Sequence, residues 1–298
     1  MADIRRVGVL GCGLMGSGIA QAAASAGFTT VARDVAHPFL DKGRARILKS
    51  MGRLVEKGKL TASDRDAAAG RLSFTTDTAA LRDCDIIIEA VTEDLELKNG
   101  LWQELDRLCP AETIFASNTS SLTIAAMAAA TSRPDRFVGL HFFNPVPLMP
   151  LVEVVRTVTT SQATFDRAFA FARNLGKEAV AATDNPGFIV NLLLVPFLLD
   201  AARALERGIA STVDLDRAIQ LGCGHPMGPL TLLDYIGLDT VVRIADIMFD
   251  AYREPRYSAP PLLQRMVVAG YHGRKNGRGF YDYSVDPPVP SELGLRKA

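Results

Sequence analysis

Short, continuous apolar runs alternate with helical patterns through the first part of the chain, and then the runs stop. "VGVL" (7–10) is a four-residue apolar run of the kind buried on both faces in a parallel sheet. The alanine-rich stretch 19–26 favours helix, Gly27 is placed to end it, and "FTTVARD" predicts a second strand ending at Asp34. A long polar helical region follows over roughly 37–70. "CDIIIEAV" (84–91) reads as a strand running into the helix "TEDLELKNGLWQELDRL". "TIFASN" (113–118) is a further strand, with "SSLTIAAMAAA" as the helix after it. "FVGLHFF" (137–143), "LVEVV" (151–155) and "EAVAA" (178–182) complete the predicted strands. This alternation predicts an α/β fold: a Rossmann-type, mostly parallel sheet covered on both faces.

The pattern changes at the turn cluster "TDNPGF" (183–188), after which no convincing strand remains. "IVNLLLVPFLLDAARALERG" predicts a long helix bent near Pro196 and stopped at Gly208. Two more helices are expected, broken by "GCGHPMGP" (222–229) and "REPRYSAPP" (253–261). The expected organisation is therefore 1–184 as the sheet domain and 185–298 as a smaller all-helical C-terminal domain. The last fifteen residues or so, rich in proline and polar groups, are expected to form a loose tail.

Composition narrows the partners. The 298 residues carry 33 Lys and Arg against 33 Asp and Glu, so nothing global favours nucleic acid or an anionic membrane, and any anion site must be local. Such a local excess exists: seven Lys or Arg lie between Lys42 and Lys59 with a single acid, Glu56. Cys12, Cys84, Cys109 and Cys223 are scattered, without metal-ligand or disulfide spacing, which suits a reducing compartment. The N-terminus runs almost directly into the first strand, and the most apolar segment, 188–199, is too short to span a bilayer. A cytoplasmic protein without a membrane partner is expected.

Gly11, Gly13 and Gly16 fit GxGxxG, follow a predicted strand, open a predicted helix, and have Asp34 about 20 residues on. Glycine lets the backbone, including Leu14 and Met15, approach a pyrophosphate, and helix N-terminal N–H groups supply positive potential. Asp34 can accept from the adenosine ribose hydroxyls and disfavours a 2′-phosphate, which points to NAD; Arg33 beside it leaves NADP open.

A hydride carrier needs a group that moves the alcohol proton. "HFFNPVP" offers His141, and "PLVEVV" offers Glu153, a carboxylate between valines. A carboxylate on one ring nitrogen would fix the tautomer and steady the charged ring. Spacing leaves two readings open: a catalytic pair, or a hydrogen-bonded core histidine and a surface glutamate. Ser120 is open in the same way between a substrate contact and a helix N-cap, and Asn191 between a substrate contact and a buried bridging amide.

"GCGLMGSGIAQ", "IIIEAVTEDLELK", "ASNTSSL", "RFVGLHFFNPVPLMPLVEVV", "DNPGFIVNLLLVPFL", "GHPMGPLTLLDYIGLD" and "GRKNGRGFYDY" together resemble 3-hydroxyacyl-CoA dehydrogenases of the short-chain, 3-hydroxybutyryl-CoA type, over nearly the whole chain. The resemblance implies reversible NAD-dependent oxidation of an (S)-3-hydroxyacyl-CoA, a role in fatty-acid or butanoate metabolism, and a homodimer formed by the helical part. It implies His141 as general base, Glu153 as its partner, and Ser120 and Asn191 as donors to the substrate's 3-oxygen. It places NAD contacts at Glu93, Lys98, Ser120, Asn144 and Lys275, and coenzyme A contacts at Ser50 and Lys57, with Ser120 at the acyl end. Pro150 stands where relatives often carry lysine, which leaves acyl-chain range open. A sugar-acid dehydrogenase of the gulonate (lambda-crystallin) type shares the "HFFNP" pattern and is the alternative; the basic helix, of little use without coenzyme A, separates the two.

Overall fold

A computed structural model of the chain describes residues 4–294. The chain divides into two compact units between Phe188 and Ile189, a few residues beyond the boundary drawn at 184.

The first unit runs β1 (Arg6–Leu10), α1 (Leu14–Ser25), β2 (Thr29–Arg33), α2 (His37–Glu56), α3 (Ala62–Gly70), β3 (Leu72–Thr75), β4 (Ile86–Glu89), α4 (Leu95–Leu108), β5 (Ile114–Ser117), α5 (Ile124–Ala128), β6 (Phe137–Phe142), β7 (Leu151–Arg156), α6 (Gln162–Asn174) and β8 (Glu178–Thr183). The eight strands form one sheet in the order β3-β2-β1-β4-β5-β6-β7-β8. Every neighbouring pair is parallel except β6 and β7, which form an antiparallel hairpin. The central strands are buried along their length because helices cover both faces, which is why Ile86, Ile87 and Ile88 can follow one another without a polar break. Trp102 of α4 seals one face against Phe115 and Phe137, with ring centroids 5.0 and 4.8 Å away.

Four local features depart from the pattern-based expectation. The polar region 37–70 is two helices, because Gly58 turns the chain at φ +66° and the Thr61 side chain caps α3 by accepting from Asp64 N. The edge strand β3 is too short and too polar to read as an apolar run. α6 has a helical pattern that the strand count passed over. The helix expected from Ser120 begins only at Ile124, because Asp184 reaches back from the end of β8 to accept from the N–H groups of Ile124 and Ala125 at 2.8 and 2.7 Å. Residues 120–123 are therefore loop, and Ser120 is not a helix cap.

The second unit contains α7 (Val190–Glu206), α8 (Thr212–Cys223), α9 (Pro229–Ile236), α10 (Leu238–Tyr252) and α11 (Pro261–Val268), so four helices follow α7 rather than two. Their breaks are local: the Ser211 side chain caps α8, Gly224 ends it at φ +67°, and Gly237 separates α9 from α10 at φ +104°. A core including Leu198, Leu199, Leu233, Leu238, Met248 and Phe280 holds them together, each buried side chain contributing about 1.5–3 kcal/mol. A second binding force is polar. Asp216 accepts from Leu230 N, Thr231 N, Thr231 Oγ1 and Tyr281 Oη. Asp234, fully buried, accepts from Phe280 N, Tyr281 N and Tyr283 Oη. The final segment is not wholly loose: Val289–Pro290 (β10) pairs antiparallel with Tyr281–Asp282 (β9). Residues 295–298 of the expected tail lie outside the described residues.

Candidate active site

The glycine loop connects β1 to α1. Gly11 N donates to Arg33 O at 2.8 Å, tying the carboxyl ends of β1 and β2 together. Gly11 has φ +89°, and a Cβ on Gly16 would sit 1.9 Å from Gly11 O, so the helix can start this close to the strand only without side chains there. A Cβ on Gly13 would meet nothing within 4 Å, so open space lies over the loop. α1 has no side-chain cap, leaving the N–H groups of Leu14, Met15 and Gly16 without an intrahelical acceptor. Asp34 is oriented by Cys12 N and Val35 N, each 2.7 Å from one carboxylate oxygen. An uncapped helix start, a close backbone approach and an oriented carboxylate suit a dinucleotide's pyrophosphate and ribose. Cys12 at this loop is no nucleophile, since burial pushes its thiol up to about 11.

His141 and Glu153 are cross-strand partners in register in the β6–β7 hairpin. Partners in register point to the same face, and the hairpin brings His141 Nδ1 to 2.5 Å from Glu153 Oε2. Glu153 is 0% exposed and His141 5%. The surface-glutamate reading therefore fails: the carboxylate is buried, and the imidazole is its partner. With Nδ1 facing the carboxylate, Nε2 is the nitrogen left for proton exchange. The Phe143 and Phe188 rings flank the imidazole at centroid distances of 4.5 and 5.4 Å.

The turn after β6 carries Asn144, which is exposed. Lys177 clamps this turn, its Nζ donating to Val146 O and Met149 O at 2.6 and 2.8 Å, and burial lowers the pKa of that ammonium. Val146 packs on Gly18 of α1, where a Cβ would lie 2.9 Å away. The His141–Asn144 segment is thus held beside the glycine-loop helix.

Ser120 lies in the loop after β5, partly exposed. Glu93 accepts from Ser120 N at 3.2 Å and takes the Thr119 hydroxyl between its two oxygens at 3.0 and 2.9 Å. Lys98, 1% exposed, places its ammonium 2.6 Å from Glu89 Oε1 and 3.2 Å from Glu93 Oε2. Asn118 joins the two halves of the site: its Oδ1 accepts from Phe142 N, the residue after His141, at 3.0 Å.

Ser50 and Lys57 stand at the C-terminal end of α2, Ser50 partly buried and Lys57 exposed at the C-cap, with Lys49 and Arg53 exposed nearby. Arg46 of the same helix reaches Ser17 Oγ of α1 at 3.3 Å, anchoring this basic helix to the glycine-loop helix. Asn191 and Lys275 belong to the second unit. Asn191 is in the first turn of α7; Lys275 is in the short turn Arg274–Asn276, its ammonium 2.5 Å from Asp239 Oδ1.

Pattern reading missed Glu89, Ser117, Asn118, Thr119 and Asp184. Glu89 had a signal: a carboxylate closing the run "DIIIE" is as costly to bury as Glu153 among valines. The small polar residues had none, because Ser, Thr and Asn in a loop are unremarkable until their partners are placed.

Two family models and several curated relatives match the chain. Residues 6–185 match the family model described as "3-hydroxyacyl-CoA dehydrogenase, NAD binding domain", and residues 187–283 match its C-terminal domain. The chain is 51% identical over 286 residues to a 3-hydroxybutyryl-CoA dehydrogenase of Mycobacterium tuberculosis, covering 95% of this chain and 100% of that one. It is 48% identical over 288 residues to the mitochondrial hydroxyacyl-coenzyme A dehydrogenase of Rattus norvegicus, covering 94% and 91% of the two chains. The crystal structure of (S)-3-hydroxybutyryl-CoA dehydrogenase PaaH1 from Ralstonia eutropha superposes with a TM-score of 0.91 at 43% identity, covering 95% of this chain and 100% of that one.

Proposed function

The chain belongs to the 3-hydroxyacyl-CoA dehydrogenase family, and on that premise we propose that it interconverts a short-chain (S)-3-hydroxyacyl-CoA, 3-hydroxybutyryl-CoA first among them, and the 3-oxoacyl-CoA. The observation that carries the reading is the buried His141–Glu153 pair at 2.5 Å, in the same sheet as a glycine loop built for a dinucleotide.

NAD, when bound, supplies the hydride acceptor in oxidation and the donor in reduction. The N–H groups of Leu14, Met15 and Gly16 would hold its pyrophosphate and Asp34 its adenosine ribose, and Glu93, Lys98, Ser120, Asn144 and Lys275 are assigned to its remaining contacts. His141 takes the 3-hydroxyl proton at Nε2 while Nδ1–H donates to Glu153, which offsets the charge gained by the ring. In the reverse direction the same nitrogen returns the proton. The Ser120 hydroxyl donates to the 3-oxygen as its bond to carbon changes order, and the family pattern adds the Asn191 amide as a second donor. Ser50 and Lys57 on the basic end of α2 receive the coenzyme A phosphates.

The sugar-acid dehydrogenase reading is not favoured, because both domains match the hydroxyacyl-CoA family and the basic face of α2 is present. We assign the second unit to dimer formation: Leu193, Ile209 and Leu221 on and beside its helices are 67%, 69% and 70% exposed, large apolar side chains of the kind a second copy would cover. Among the described residues no helix is long and apolar enough to cross a membrane.

The test is acetoacetyl-CoA-dependent oxidation of NADH, with free hydroxy acids and NADPH run in parallel. Turnover by the wild-type enzyme and a loss of about 10³-fold in His141→Gln are expected. Near-normal rates in that variant would sink the mechanism.

A further inference from the structure

We propose that Glu89, fully buried at the carboxyl end of β4, is a positioning residue that sets the Thr119–Ser120 loop for the nicotinamide half of the cofactor. The proposal rests on the function assigned above. The Glu89 side chain is closed off from solvent, being 0% exposed. Its Oε1 accepts from Val91 N at 2.7 Å and from Lys98 Nζ at 2.6 Å, and its Oε2 accepts from Ser117 Oγ at 2.6 Å.

From these bonds two routes lead to one place. Ser117 Oγ, held by Glu89, accepts from Thr119 N at 3.2 Å. Lys98, held by Glu89, meets Glu93 at 3.2 Å, and Glu93 in turn holds the Thr119 hydroxyl and Ser120 N. The Thr119 hydroxyl then accepts from Leu122 N at 3.0 Å, so the loop is fixed on both sides of Ser120. The main chain adds a third tie, Asn118 N to Glu89 O at 2.8 Å. The polar contacts of the Glu89 carboxylate thus serve the β4 and β5 strand ends or the loop that follows them.

The sheet order says which half of the cofactor lies there. Asp34 follows β2 and the glycine loop follows β1, while β4 and β5 lie on the other side of β1. A dinucleotide with its adenosine ribose at Asp34 and its pyrophosphate over α1 must lay its second nucleoside over the ends of β4 and β5. Lys98 brings one positive charge between two carboxylates, so the cluster is formally one charge negative beneath that nucleoside. A buried network of this kind specifies geometry only while all its members are satisfied. Removing the carboxylate's charge leaves Lys98 drawn to Glu93 alone, and Glu93 is the group that orients Ser120.

The experiment compares Glu89→Gln, which keeps the volume and one acceptor, with Ser117→Ala, which removes only the shorter route. NADH binding is followed by nicotinamide fluorescence, and turnover of acetoacetyl-CoA by steady-state kinetics, both per folded site. In Glu89→Gln we expect NADH binding about ten-fold weaker and kcat about ten-fold lower, with KM for acetoacetyl-CoA within about two-fold of wild type. Ser117→Ala should move NADH binding per folded site the same way by about three-fold, with a Tm lower by a few degrees because Glu89 Oε2 and Thr119 N lose a partner. A group that only stabilises the fold would lower Tm and leave NADH affinity per folded site alone. NADH binding within about two-fold of wild type in both variants overturns the proposal; if Glu89→Gln does not fold, Ser117→Ala decides by itself. A wild-type enzyme inert toward acetoacetyl-CoA would overturn the assigned substrate, while the fluorescence titration would still decide the role of Glu89.

Discussion

The strand ends of the first unit and the helical second unit both bury carboxylates, and they treat them in opposite ways. Glu89, Glu153 and Asp234 are each 0% exposed. In the first unit the partner is a cation or a group that can become one: Lys98 for Glu89, His141 for Glu153. In the second unit, among the described residues, Asp234 and its neighbour Asp216 accept from neutral N–H and O–H donors of α9 and of the β9 hairpin region. Neutral donors do not fully offset the loss of water, so burial, with some repulsion from Asp216, pushes the Asp234 carboxyl up to about 6. A buried acid opposite a titratable base can move a proton or hold a charge; a buried acid opposite backbone amides fastens chain segments together. The same residue class is thus set against a charge-bearing partner in one unit and against neutral fastening contacts in the other.

The comparison is broken most sharply by removing one acid from each side. Glu153→Gln should lower kcat by about 10³-fold, roughly 4 kcal/mol of transition-state stabilisation, while leaving the far-ultraviolet circular dichroism native. Near-wild-type turnover would place Glu153 with the structural acids. Asp234→Ala should instead cost about 3 to 4 kcal/mol of stability in urea unfolding, because Phe280 N, Tyr281 N and Tyr283 Oη lose their acceptor together. Its turnover per folded molecule should stay near wild type.

A pH series sharpens the contrast further. The folded-state pKa of Asp234 is raised from 3.8 to about 6, so its contribution to stability is fully present below 3.8 and is lost as pH rises through 6. Between those limits the loss is about 3 kcal/mol, at 1.36 kcal/mol per pKa unit. Asp234→Asn carries no titrating proton, so wild type minus variant in urea midpoints at pH 4 and pH 7 should isolate that slope. A difference independent of pH would show that Asp234 is ionised throughout. The smallest effect belongs to the exposed charge on α2: Lys57→Met should raise KM for acetoacetyl-CoA a few-fold, about 1 kcal/mol or less, and flatten its salt dependence. An unchanged KM would remove Lys57 from the coenzyme A contacts.

Much of the first unit was legible in the chain itself. Continuous apolar runs mark strands buried on both faces, and a glycine triplet between such a run and an alanine-rich helix has few structural uses other than a close backbone turn. β3 was not legible, because an edge strand is half-solvated and carries the polarity of a loop. The second unit was less legible than the first, since helix breaks such as Gly237 depend on one backbone angle and leave no long pattern.

By itself, then, the sequence determined the sheet class, the dinucleotide loop with Asp34, and the pairing of a histidine with a carboxylate as a candidate. It did so because apolar periodicity and glycine placement are local properties of the chain. Only the tertiary structure decided that His141 and Glu153 face each other across an antiparallel hairpin, that Ser120 is loop rather than helix cap, and that Glu89 lies beneath it. Those outcomes depend on register and on Asp184 arriving from the far end of β8. Contacts between residues 12, 28 or 60 positions apart are set by the packing of the sheet, and no local pattern along the chain encodes them.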